Sequence, residues 1–417
     1  MAVYNQNTSL TTTWTINDSD STWTLGENAE ITVGDMVGQN YGVHDDSSRS
    51  GNVINIRGDI NANVPFASTA ISLLGDDSRV HIFASSEIKA TTYGILSTSE
   101  NGRYVNDGSI TANQFGIFAS NGKSIVNNGE INAATGLASG TADVRMENSG
   151  SIASFFSGIK ADMGGAKIVN HQGGEIDSKI DGVYLGGTDA SSLVNRGIIT
   201  GDTHSIMDGD GDLTVRNFGT LNGDVMLGAG TDSFDTRGGT LVGKVYGGDG
   251  DDSYFVSSTS IVLVEQSDEG NDRVLAGVDY QLGANIESLT LLGKDDAKGT
   301  GNMLGNELIG NKGDNRLFGL GGSDALGGSS GDDQLTGGNN NDVFIFNSGD
   351  DHDVIHDFKD GADLLFMSFV DSAGDFADLK LHHVKQDGDD LVITYGNDQL
   401  IIEDMKKSHL SFADFID

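Results

Sequence analysis

Between residues 301 and 345 the chain repeats every nine residues without a gap, and few folds admit so short a period. Gly-Asn-Met-Leu-Gly-Asn-Glu-Leu-Ile starts at Gly301, and four more copies start at Gly310, Gly319, Gly328 and Gly337. Position six of the copies is Asn306, Asn315, Asp324, Asp333 and Asp342. Position eight is Leu308, Leu317, Leu326, Leu335 and Phe344. An isolated copy, Gly-Gly-Asp-Gly-Asp-Asp-Ser-Tyr-Phe, starts at Gly247, and partial copies surround Asp232 and Asp272.

These residue types suit calcium, which takes six to eight hard oxygen ligands at about 2.3–2.6 Å. Glycines let each loop bend until its carbonyls face one ion, the position-six carboxylate adds charge, and position eight forms a short inward-facing strand. Two nonapeptides make one 18-residue turn, so loops 18 residues apart stack on one edge. Asp324 with Asp342 is the best pair, Asn315 with Asp333 is weaker by one charge, and Asp333 can pair with Asp351. The candidate calcium residues are Asp232, Asp249, Gly250, Asp252, Asp272, Gly313, Asp314, Gly322, Asp324, Gly331, Asp333, Asn340, Asp342, Asp351, Asp353, Asp357 and Asp363. Asn306 and Asn315 predict weak binding in the first two loops.

A longer period fills the first half. A Gly-x-Ile step recurs with its apolar residue at Ile60, Ile88, Ile110, Ile131, Ile152, Ile176, Ile199, Leu221 and Leu241. An Asn stands four residues before five of these, at Asn106, Asn127, Asn148, Asn195 and Asn217. A second element runs in phase, among its copies Tyr41-Gly42-Val43, Tyr93-Gly94-Ile95 and Asp181-Gly182-Val183. Such bursts are too short for helices and suit strands. Coils of roughly 22 residues, stacked in parallel about 4.8 Å apart, would bury the Ile and Val as ladders and let stacked Asn side chains bond along the axis. The fold class expected is all-β, with a parallel β-solenoid over about residues 30–245; a β-sandwich lacks the long-range repeat.

Composition narrows the function. The chain carries 62 acidic against 24 basic residues, a formal net charge of −38. Nucleic acid is an improbable partner for such a polyanion, and self-repulsion asks for a divalent cation. The absence of Cys excludes disulfides and thiolate-held zinc. The N-terminal residues show no secretory signal pattern, and no run approaches the roughly 18 apolar residues of a membrane span.

From about residue 246 onward the sequence resembles the RTX (repeats-in-toxin) family. Beyond the nonapeptides, the resemblance lies in Glu269-Gly270-Asn271-Asp272-Arg273-Val274, in Leu282 to Leu291, in Asp353-Val354-Ile355-His356-Asp357-Phe358 with Gly361 and Asp363, and in the ending Leu410-Ser411-Phe412-Ala413-Asp414-Phe415. It implies Ca2+ as cofactor, a parallel β-roll, and an uncleaved C-terminal signal read by a type I secretion exporter. The protein would then be extracellular. The plan expected is a solenoid over 1–245, a transition with isolated loops over 246–300, the calcium roll over 301–360, and a C-terminal cap and secretion signal over 361–417. Its partner would be a cell surface or extracellular polysaccharide, in adhesion or matrix association.

Catalysis is not expected. No His-Glu-x-x-His occurs. Gly327-Gly328-Ser329-Ser330-Gly331 matches an esterase motif, but inside the repeat array. The alternative is a polysaccharide epimerase or lyase using Tyr41, His44, Asp45 and Asp46 in the solenoid groove. The basic residues that a uronate would need, Arg49, Arg57, Arg79 and Arg103, are scattered along the chain.

Overall fold

A burst of four apolar-alternating residues cannot bury itself, but it can pair its backbone with an identical burst one coil away. The computed structural model describes residues 2–33, 40–45, 49–64, 68–368, 370 and 373–416 and is built on that principle. It divides into two units, Met1–Tyr246 and Gly247–Asp417. The all-β expectation holds, with nearly all pairings parallel.

In the first unit a typical coil contributes three short strands, as in Arg103–Asn106, Ser109–Ala112 and Phe115–Ala119. In later coils the second and third merge into one bent strand, such as Ser151–Ala161. The Gly-x-Ile step is a true ladder: Ile31, Ile60, Ile88, Ile110, Ile131, Ile152, Ile176, Ile199, Leu221 and Leu241 stand in one register. Val43, Ile71, Ile95, Ile117, Leu137, Ile159, Val183, Ile206 and Val225 form a second. The glycine between the two elements answers to close approach. A Cβ at Gly136 would press into the Ile152 side chain and the carbonyl of Gly158.

The third wall carries a polar ladder inside. Asn106, Asn127, Asn148, Asn170, Asn195 and Asn217 are fully buried. Each amide donates to the next carbonyl oxygen, at 2.8, 2.8, 2.9, 2.9 and 2.9 Å in turn. Asn170 escapes the sequence pattern because it precedes Ile176 by six residues, not four. His171-Gln172-Gly173 widens that corner, and the ladder closes regardless.

The second unit is narrower, with two strands per turn. One column runs Tyr254, Val274, Leu289, Leu308, Leu326, Phe344, Leu365 and Phe415. The facing column includes Gly299, Leu317, Leu335, Ile355 and Ile402. Strands Glu307–Ile309, Ala325–Gly327 and Val343–Ile345 recur at the expected 18 residues. Strands Ser253–Val256, Arg273–Ala276 and Ser288–Leu291 already belong to the first column, and Tyr280–Gln281 and Lys298–Thr300 to the second.

The end of the chain folds over the roll. Val384–Asp387, Asp390–Tyr395 and Asp398–Ile402 form an antiparallel meander. Leu381 stays outside this meander, in the helical turn Leu379–His383, and is 72% exposed. Phe415–Ile416 adds to Leu364–Phe366 as a parallel strand, and the Phe415 ring packs 5.5 Å from that of Phe376.

Candidate metal sites

The roll converts the nine-residue period into two stacked rows of carboxylates. Each position-six Asp accepts, through Oδ1, the backbone amide of its counterpart one coil earlier. Along one edge Asn306 N–H donates to Asp324 at 2.7 Å, Asp324 N–H to Asp342 at 3.0 Å, and Asp342 N–H to Asp363 at 3.0 Å. Along the other, Asn315 N–H donates to Asp333 at 2.7 Å and Asp333 N–H to Asp353 at 3.0 Å. The other carboxylate oxygen, Oδ2, of Asp324, Asp333, Asp342 and Asp353 is buried with no hydrogen-bond partner. A buried, half-satisfied carboxylate is costly unless a proton or cation meets it. The residues therefore fit calcium, which would gather these oxygens and offset their charge.

Around them the candidate residues take distinct places. Gly322, Gly331 and Asn340 adopt positive φ, at 104°, 118° and 75°, so Asn replaces Gly in its left-handed turn. The partner below Asp333 is Asp353 and not Asp351, because the coil holds two extra residues; Asp351 is exposed, with an oxygen 3.4 Å from the Gly331 amide. Asp357 accepts the Gly337 and Gly338 amides, both at 2.8 Å. Asp363 also accepts the Lys359 amide, at 2.8 Å. Asp314 occupies position five and faces outward in a surface row, accepting from Asp332 N–H at 3.0 Å. Gly313 is buried, its amide donating to Asn311 Oδ1 at 2.7 Å.

The Asn-bearing loops are closed by amides. Asn306 Nδ2 donates to the carbonyls of Ile286 and Glu287, at 3.0 and 3.3 Å. Asn302 Nδ2 donates to Gly283 and Ile286, at 2.7 and 2.8 Å. Asn311 serves the carbonyls of Leu292 and Asp295 at 3.2 and 3.0 Å. Donor hydrogens thus satisfy carbonyls of these loops without a cation. Asp342→Ala is expected to lower calcium affinity roughly tenfold or more, through loss of ligand and charge. Asn315→Ala is expected to leave affinity nearly unchanged and to reduce calcium-free stability. Calorimetric titration and unfolding in chelator separate the two.

Upstream, Asp252, Glu265 and Asp272 bring carboxylate oxygens within 4.8 Å of one another, all buried. Asp252 N–H donates to Asp272 Oδ1 at 2.9 Å, Asp272 N–H to Glu287 at 2.8 Å, and Tyr254 O–H to Glu265. Burial, aided by the neighbouring carboxylates, pushes Glu265 up to about 8 and Asp272 to about 7. Glu265 lies outside the nonapeptide pattern. Its signal is alternation: Ile261, Leu263 and Glu265 share one inward face, at 7%, 8% and 5% exposure. Asp249 in this loop is exposed, and Gly250 has φ 131°. Asp232 is buried in the first unit and accepts Leu213 N–H at 2.6 Å.

Burial likewise raises Asp324 to about 6, Asp333 to about 7 and Asp353 to about 9. An unfolded Asp titrates near 3.9, so the calcium-free fold binds more protons than the unfolded chain between these limits. Its stability must fall as pH rises from about 4 to about 9. Urea midpoints of the roll in chelator are expected to be higher at pH 5 than at pH 8, and calcium should abolish that advantage.

The catalytic alternatives look different in three dimensions. Tyr41 and His44 stack, with ring centroids 4.5 Å apart, but the intervening alternation turns Asp45 inward, where it is fully buried. Asp46 lies outside the described residues. Ser329 sits in a roll loop at φ 73°, its hydroxyl 3.3 Å from the Gly310 carbonyl, with no helix behind it. Two of the four named arginines are less scattered than the sequence suggests: one register column of the solenoid runs Arg79, Arg103, Ser124, Arg145 and Lys167, with Arg79 beside Arg103 and Arg145 beside Lys167.

No family model matches the chain, and no curated protein does. Among solved structures it is similar to the extracellular lipase LipA from Serratia marcescens, at 18% identity and a TM-score of 0.28, over 54% of this chain. The match spans 40% of the lipase's length. The expectation of a chain without catalysis is corrected here, since the matched protein is an enzyme. At this TM-score it transfers no activity. Among the described residues no helix is long and apolar enough to cross a membrane.

Proposed function

We propose that the chain is a calcium-binding repeat protein of the RTX type, exported through a type I system and folded by calcium outside the cell. The observation that supports it most is the pair of stacked carboxylate rows whose buried Oδ2 atoms lack partners at Asp324, Asp333, Asp342 and Asp353. In calcium-poor cytosol the charge of these rows opposes folding, which suits passage through a channel. Calcium outside reverses that balance and opposes return. The solenoid then presents a long surface for association with a cell surface or matrix. The column Arg79, Arg103, Arg145 and Lys167 favours an anionic polymer such as a polyuronate as the partner.

The test is export from a host with a type I exporter. Deleting residues 408–417 is expected to leave the protein in the cell pellet, and deleting residues 1–13 to leave export intact. Normal export of the first deletion would refute this reading. Retention of purified calcium-loaded protein on immobilised polyuronate, lost in an Arg79→Ala/Arg103→Ala variant, tests the partner.

A further inference from the structure

The solenoid unit holds a loop pair in the same register as the roll, with one carboxylate displaced. Leu213 N–H donates to Asp232 Oδ1 at 2.6 Å, the bond that marks position six and its counterpart one coil earlier throughout the roll. Leu213 therefore occupies position six of its own loop and brings no carboxylate. Counting back five residues from Leu213 reaches Asp208, at position one. In the roll that position is glycine. At Gly301, Gly310, Gly319, Gly328 and Gly337 a Cβ would run into the position-six side chain of the same loop. A side chain at position one thus points to the place where a position-six carboxylate normally lies.

Asp208 has such a side chain. It is 4% exposed, and its Oδ2 is buried with no hydrogen-bond partner. Burial, opposed by a hydrogen bond from the Gly209 amide, pushes its carboxyl up to about 7. The coil beneath bends as the roll loops do, with Gly228 at φ 99° and Gly230 at φ 138°. The coils are held in register by Ala229 N–H to the Gly209 carbonyl and Thr231 N–H to Asp212, both at 2.8 Å.

We propose that residues 208–213 and 227–232 form a calcium site within the solenoid, in which Asp208 supplies from position one the carboxylate that Leu213 cannot supply from position six, opposite Asp232. The proposal rests on the reading of position-six loops as calcium sites. It makes the end of the solenoid calcium-dependent while its Ile and Asn ladders are not.

The experiment uses the full chain. Calcium stoichiometry is measured by equilibrium dialysis, and hydrogen exchange is followed by peptide with calcium or chelator, for wild type, Asp208→Asn and Asp342→Asn. Wild type is expected to show calcium protection both at 208–232 and at 319–345. Asp208→Asn should bind one ion fewer and lose the protection at 208–232 by roughly tenfold, while 319–345 stays protected; Asp342→Asn should do the reverse. Unchanged stoichiometry and protection in Asp208→Asn, with the roll still responding, overturns this proposal alone. No calcium response at 319–345 in wild type overturns the underlying reading. If Asp208→Asn disturbs the ladders themselves, wild type decides: no calcium-dependent slowing at 208–213 overturns the site.

Discussion

In chelator at neutral pH, amide exchange of the full chain is expected to split in two. Residues 301–366 should lose most of their protection, while the strands bearing Ile110, Ile131, Ile152 and Ile176 keep theirs. Each turn of the roll buries only two or three apolar side chains, such as Leu317 with Leu326, against two rows of half-satisfied carboxylates. Repulsion and desolvation then outweigh a small core. Each solenoid coil buries residues on all three walls and, from Asn106 to Asn217, carries a neutral amide ladder that asks for no ion. Millimolar calcium should restore the roll by mass action on the folded state. Equal exchange of both regions in chelator would contradict the difference in how the two units are stabilised.

The largest single-residue effect in the solenoid is expected at Asn148. Its amide donates to Asn170 at 2.9 Å and to the carbonyls of Gly150 and Glu175 at 3.0 and 3.3 Å, and its carbonyl accepts from Asn127. Asn148→Ala takes the donor from the Asn170 carbonyl oxygen in a buried wall and removes one of three acceptors from Asn127, which still reaches the Gly129 and Ser151 carbonyls. The unsatisfied buried acceptor costs about 2 kcal/mol or more. Asn148→Asp keeps the volume but replaces the donor with an acceptor facing Asn170, and should be at least as damaging at neutral pH. Urea unfolding followed by exchange in Ser124–Asn127 and Lys167–Asn170 reads both. A loss below about 1 kcal/mol would mean the ladder is decorative.

Much of this was legible because stacking is a one-dimensional problem. A coil that pairs only with its neighbours must repeat its inward residues at the coil length, so the Ile ladder and the 18-residue offset of the roll could be counted off the chain. Counting fails where a coil changes length. Asn170 was hidden by a widened corner, and Asp353, not Asp351, lies under Asp333 because two residues were inserted between copies. Glu265 was hidden for another reason, since a single Glu on an apolar face carries no period of its own.

Period and charge are properties of order along the chain, so the all-β repeat architecture, the two periods and the excess of carboxylate could all be read before folding. Stacking of the coils settles which oxygens are left without partners, that Asn302, Asn306 and Asn311 close their loops with their own amides, and that Arg79 and Arg103 stand side by side although 24 residues apart. It also places Asp208 at the position where the five nonapeptides of the roll have glycine. These depend on which coil lies over which, and that register is set by backbone pairing between coils, whose lengths vary from one turn to the next.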